Sequence, residues 1–113
     1  MAVYVDDANI RYGRMKMSHL WADSLEELLA MVDAIGVNRK WIQGHPTLSF
    51  GKHRKASWVH FDISLGKKQL ALARGAILTD KFGPLEHEAR RTGNQAKLEM
   101  VARARALREK SDA

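Results

Sequence analysis

A chain of 113 residues fits one domain and leaves no room for a second. Hydrophobic residues make up 45% and charged residues 28%, a balance that argues against a disordered chain. Cysteine is absent, which excludes disulfides, thiolate metal sites and cysteine nucleophiles, while 19 Lys+Arg against 13 Asp+Glu leave a net charge of +6.

The first element is Val3-Tyr4-Val5, β-branched and aromatic, which predicts a buried strand running into Asp6-Asp7. Residues 8–16, with Gly13 and the bases Arg11, Arg14 and Lys16, read as a loop. Met17 to Ala22 predicts a second strand, with Leu20 and Ala22 on one face and His19, Trp21 and Asp23 on the other. Ser24-Leu25-Glu26-Glu27 fits a capping box. Leu25, Leu28, Leu29, Val32 and Ile35 then form a helical stripe that Gly36 stops.

Trp41-Ile42-Gln43 reads as a short strand. Residues 44–57, with Gly44, Pro46, Gly51 and the cluster Lys52-His53-Arg54-Lys55, read as an exposed loop. In Trp58–Ile63 the alternation sends Val59, Phe61 and Ile63 to the core and presents Trp58, His60 and Asp62. A second helix is expected from Leu65 to Arg74, with Leu70, Ala71 and Ala73 partly buried, and a closing strand over Ala76–Thr79. Gly83-Pro84 and Thr92-Gly93-Asn94 break the chain. Gln95 to Lys110 is helical, with Leu98, Val101, Ala104 and Leu107 as a modest stripe. The pattern predicts an α/β (α+β) fold: a small sheet of three to five strands against two helices over residues 1–80, extended by a basic helical segment over 81–113.

No apolar run approaches the roughly 20 residues of a membrane helix, and the N-terminal residues have no secretory pattern. A cytoplasmic protein, of a bacterium or an infected host, is the expectation. Phosphate-loop, dinucleotide-binding, zinc-protease and serine-hydrolase motifs are absent.

Three polar pairs project from predicted strands: Asp6 with Asp7, His19 with Asp23, and His60 with Asp62. His60 and Asp62 are two apart on a strand and so share a face, roughly 6.6 Å from one another. If these segments are neighbours in one sheet, carboxylates and imidazoles converge. Such a set suits a divalent metal (Mg, Mn or Zn) or acid–base work without one. Asp6-Asp7 can equally end a strand in solvent, and Asp23 can belong to the helix start.

Several segments carry a resemblance. They are Val3-Tyr4-Val5-Asp6-Asp7, Gly13-Arg14 through Met17-Ser18-His19-Leu20, Ala22-Asp23, and Glu27-Leu28 to Ile35-Gly36-Val37. To these add His60-Phe61-Asp62-Ile63 and Lys67-Lys68 with Ala73-Arg74-Gly75-Ala76. Over about residues 2–80 this order resembles the domain-of-unknown-function family 4031, a small domain of bacteria and their phages. Members often carry Cys where this chain has Ser18, and the stretch from Gln43 to Ser57 is longer than expected. The resemblance implies the fold boundary and the site, a bacterial or phage source, and no particular reaction.

Charge is unevenly placed. Residues 1–35 sum to −3, residues 36–66 to +4 and residues 67–113 to +5. Arg39, Lys40, Lys52, Arg54, Lys55, Lys68, Arg103, Arg105 and Arg108 are candidates for holding nucleic acid, with Trp41 and Trp58 able to stack on bases. Two readings follow. In the first, the chain is an enzyme hydrolysing a phosphate ester of nucleic acid or a nucleotide. Asp6, Asp7, His60 and Asp62 hold the metal, His19 and His60 are catalytic, and Arg14 and Lys67 neutralise phosphate. In the second, it is a non-catalytic basic module for nucleic acid or a host protein.

Overall fold

A five-stranded mixed sheet organises the first unit of the chain, Met1–Asp80. The computed structural model describes residues 2–8 and 10–112. Its strands are β1 (Val3–Asp6), β2 (Ile10–Tyr12), β3 (Met15–Ala22), β4 (Phe61–Ser64) and β5 (Ile77–Thr79). Met17 pairs with both Ile10 and Ser64, and Leu20 with both Val5 and Phe61. Hence β4 runs along one edge of β3, while β1 and β2 share the other, all antiparallel to it. Between Asp6 and Ile10 the register against β3 slips by two residues. β5 joins the outer side of β1 in parallel, which the intervening helix after β4 makes reachable.

Helices α1 (Leu25–Ile35) and α2 (Leu65–Ala73) cover one face of this sheet. Leu28, Val32 and Ile35 of α1 and Ala71 of α2 close over Val5, Leu20, Phe61 and Ile63, all at most 2% exposed. The start of α1 behaves as its sequence predicts. Ser24 Oγ accepts the Glu27 N–H at 3.2 Å and donates to Glu27 Oε1 at 2.9 Å. Gly36 closes the helix at φ 78°.

Four local expectations are corrected. The segment 8–16 contains β2 and the first residues of β3 around a turn at Gly13, with Asn9 outside the described residues. Arg39–Trp41 is a 3-10 turn rather than a strand, and only Gln43 pairs, in an isolated bridge with His60. Residues 44–57 hold a second 3-10 turn (Gly51–Lys55) and a buried Ser49 whose hydroxyl donates to Ile42 O at 2.8 Å. Because Ser64 caps α2 straight from β4, the helix phase turns Ala71 and Leu72 inward and leaves Leu70 and Ala73 exposed.

The second unit, Lys81–Ala113, is a helix pair, α3 (Gly83–Thr92) and α4 (Gln95–Asp112), joined at Gly93. Pro84 sits in the first turn of α3, where its missing N–H costs nothing. Ala89 and Val101 are buried, whereas Leu107 is 66% exposed, so the expected stripe ends before its last member. Among the described residues no helix is long and apolar enough to cross a membrane.

The α1 cap gives a measurable outcome. Ser24→Ala is expected to lower the free energy of unfolding in urea by about 1 kcal/mol, with the sheet face opposite the helices unchanged.

Candidate metal centre

The face of the sheet opposite α1 and α2 carries the polar side chains. His19 pairs directly with Asp62 across β3–β4, and Asp6 follows Val5, which pairs with Leu20. Asp6, His19 and Asp62 therefore stand in one row across three strands. His60 stands one step away, across from Gln43. The period-two alternation that sends Leu20, Phe61 and Ile63 into the core aims these four side chains the other way.

Each member of the cluster is held by a partner behind it. Asp6 is 1% exposed and spends both oxygens on His19: Oδ1 accepts the backbone N–H at 3.0 Å and Oδ2 meets Nδ1 at 2.6 Å. A carboxylate accepts, so Nδ1 of His19 carries the proton and Nε2 is left with a lone pair. His60 repeats the arrangement. Its Nδ1–H donates to the Trp58 carbonyl at 3.0 Å, and its ring lies flat against the Trp58 indole, centroids 4.1 Å apart. Asp62 is held from the side by Gln43, whose Nε2–H donates to Oδ2 at 2.8 Å.

The atoms left over converge. Asp62 Oδ1 lies 3.8 Å from His19 Nε2 and 3.5 Å from His60 Nε2. The ligand atoms of His19, His60 and Asp62 all fall within 4.8 Å of one another. Three lone pairs aimed at one point repel unless a proton or a cation lies among them. The surroundings of His19 favour the proton. The hydrogen bond to Asp6 raises the His19 pKa above its ordinary 6.5, against an opposing loss of solvent, and the charges of Asp6 and Asp62 add to the rise. Burial pushes Asp62 up, but His60, Gln43 and His19 together hold it below its ordinary 3.8.

The same three atoms could hold a cation. Bonds of about 2.1 Å in a tetrahedron put ligand atoms about 3.4 Å apart. The separations of 3.8 and 3.5 Å to Asp62 Oδ1 would need only a small contraction to reach that. The Asp62 side chain is 40% exposed, so the mouth of the cluster opens to solvent there. The Asp6–His19 contact is the usual support behind a metal-bound imidazole.

The other anticipated site residues lie elsewhere. Asp7 is exposed and outside the group of three, and Asp23 accepts from Ala2 N–H at 2.8 Å and Tyr4 Oη at 3.3 Å. Arg14, at the β2–β3 turn, is five residues from His19, roughly 17 Å along an extended strand, beyond its reach. Lys67 Nζ donates to Ile35 O at 2.9 Å, capping α1, and Lys68 Nζ is 3.3 Å from Ser18 Oγ on the helix side of the sheet. Neither faces the cluster, because the phase of α2 turns both toward the sheet's other face. Gln43 was given no role from sequence, and Trp58, expected to stack on bases, instead holds and stacks on His60. Trp58 shares the alternation of His60 and Asp62, while Gln43 enters through one bridge that no pattern announces.

The expected polyanion-binding bases are also partly committed. Arg39 is forked onto Asp33 at 2.9 and 2.6 Å, Arg54 Nε donates to Ser49 O at 2.6 Å, and Arg105 pairs with Glu86. Lys40 lies over the Trp41 ring, and Lys52, Lys55, Arg103 and Arg108 are exposed.

Comparison with known proteins gives one finding. The family model described as Protein of unknown function (DUF4031) matches residues 3–92, from β1 to the end of α3, past the residue 80 at which the resemblance was expected to stop. No curated protein and no solved structure matches.

Two outcomes follow from the geometry. With metal chelated, the raised His19 contributes stability in full below 6.5 and loses it as pH rises through its folded value. The lowered Asp62 contributes above 3.8 and loses its share as pH falls through its folded value. The cluster is thus most stabilising between those limits. Asp6→Asn is expected to bring the His19 titration midpoint, followed by NMR, down from above 6.5 and to flatten the loss of thermal stability on the alkaline side. The second concerns Gly44, at φ +77°, where a Cβ would lie 2.0 Å from the Trp58 carbonyl oxygen that holds His60. Gly44→Ala is expected to cost on the order of 3 kcal/mol in urea unfolding and to disturb the His60 ring resonances.

Proposed function

The chain belongs to the DUF4031 family, and from its site we propose that it is a metal-dependent phosphoester hydrolase acting on nucleic acid or a nucleotide. The observation that carries this reading is the convergence of His19 Nε2, His60 Nε2 and Asp62 Oδ1, with both Nδ1 protons already engaged. Two imidazoles and one carboxylate match a catalytic zinc set, three protein ligands with positions left for water. The imidazoles favour Zn²⁺ over Mg²⁺, which prefers oxygen.

The roles follow from the donors. His19, His60 and Asp62 hold the ion, and Asp6, Trp58 and Gln43 orient them. Asp6 is a positioning residue, since both its oxygens are spent on His19. With all three inward atoms on the metal, no side chain in the cluster is left as a general base, and none is required. An ion held by His19, His60 and Asp62 would lower the pKa of its water to about 7 and so would supply hydroxide for phosphoester hydrolysis at neutral pH. It would also offset the phosphate charge, the part Arg14 and Lys67 were expected to play. A phosphate substrate also suits the stretch from Arg39 to Lys55, which carries five bases and no acid.

Calorimetric titration checks this. The wild type is expected to bind one Zn²⁺ per chain and Mg²⁺ far more weakly. His60→Ala and Asp62→Asn are expected to abolish binding while keeping the fold, and Asp6→Asn to weaken it about 10- to 100-fold. Cleavage of bis(p-nitrophenyl) phosphate is expected to track metal occupancy. A wild-type protein that takes up none of Zn²⁺, Mn²⁺ or Mg²⁺ overturns the proposal.

A further inference from the structure

Residues 34–61 contain no Asp or Glu. Within that stretch the two 3-10 turns bring three rings together at the surface. Ring centroids are 5.9 Å apart for Trp41–Phe50, 5.3 Å for Phe50–His53 and 5.9 Å for Trp41–His53. Trp41 and Phe50 are each 46% exposed, so nearly half of each ring is open for contact. Positive charge surrounds them. Lys40 Nζ stands 4.8 Å over the Trp41 ring, and Lys52 and Lys55 are exposed on the turn that carries His53.

Aromatic faces beside uncompensated lysines are the two components of a single-strand binding surface: rings take the bases and ammonium groups take the phosphates. We propose that Trp41, Phe50 and His53, with Lys40, Lys52 and Lys55, form a platform that binds single-stranded nucleic acid and supplies the metal centre with its substrate. The second half of that statement rests on the hydrolase reading, whereas the first does not. Duplex is disfavoured because its base faces are already stacked on one another. An acidic protein partner would use the lysines but has no need of open rings.

The platform and the centre share a backbone. Gln43, two residues after Trp41, holds Asp62, and the Gly44 N–H donates to the His53 carbonyl at 2.9 Å. A strand lying on the rings is therefore beside the segment that orients the carboxylate. A base stacking on Trp41 displaces the Lys40 ammonium from the ring toward the adjoining phosphate.

The test is fluorescence anisotropy of labelled oligothymidylate with the full chain, in chelator so that no cleavage intervenes. The wild type is expected to bind with an affinity that falls steeply with salt, and more tightly than it binds the same length of duplex. Trp41→Ala is expected to weaken binding roughly tenfold. Lys52→Ala/Lys55→Ala, on two exposed side chains, is expected to lower the salt slope by about 1.4. Absence of binding, equal affinity for duplex, or wild-type behaviour in both variants overturns the platform. Zinc calorimetry on the same protein, with the chelator dialysed away, separates the two proposals. Zinc uptake without oligonucleotide binding removes the platform and leaves the hydrolase reading standing. Oligonucleotide binding without zinc uptake does the reverse.

Discussion

The structure of this site turns on one electrostatic conflict. Two imidazoles donate their Nδ1–H groups to fixed acceptors and aim their Nε2 atoms at the same carboxylate oxygen. Left alone, that arrangement pushes its members apart. It persists because each group is anchored from behind, by Asp6, by the Trp58 carbonyl and by Gln43. The backbone register then gives the row no room to shear. A one-residue slip of β4 against β3 would turn Asp62 into the core and Phe61 out of it, exchanging a buried ring for a buried charge. Core packing on one face of the sheet thus enforces polar convergence on the other.

Burial divides the labour among the carboxylates. Asp6 lies at the end of β1 with 1% of its surface exposed, where an unpaired carboxylate would be costly, and it is satisfied entirely by His19. Asp62 is far more open and keeps one oxygen pointed at the imidazoles. The buried acid is suited to fixing a tautomer, and the open one to meeting a ligand that arrives from water. The register slip between Asp6 and Ile10 falls directly after the buried acid. It is a local device that lets β1 end its pairing at this point while the chain continues along β3 as β2.

Much of this was legible because it is written in period two. Val59, Phe61 and Ile63 alternating with Trp58, His60 and Asp62 states both the strand and its polar face. The same reading of β3 separates Leu20 from His19. Asp6 is visible as an acid at a strand end. What local pattern cannot state is which strand lies beside which, so the facing of His19 and Asp62 became evident only from the pairing. β2 was hidden because the alternation of Ile10-Arg11-Tyr12 runs for only three residues, too few to separate a strand from a loop. Gln43 was missed because a polar residue in a single bridge has no periodicity at all. Lys67, expected beside the phosphate, is turned away by helix phase. Starting α2 at the Ser64 cap turns its stem toward the sheet, and Lys67 then finds the open carbonyl of Ile35.

Net charge proved a coarser guide than the position of the acids. Several bases after residue 67 are paired with carboxylates of the helix pair: Arg90 with Glu86 and Arg91 with Glu88 within α3, and Arg105 of α4 with Glu86. Such pairs are worth little to stability at the surface, yet they cancel the field that would draw a polyanion. Arg39 is cancelled by Asp33 in the same way. The lysines around Trp41 have no acid within their own stretch of chain, so their field is not offset locally. An excess of six charges spread evenly would say little about function. In the helix pair the ion pairs offset part of that excess, whereas the stretch from Arg39 to Lys55 keeps its lysines beside open aromatic rings, in the same unit as the cluster that could hold a metal.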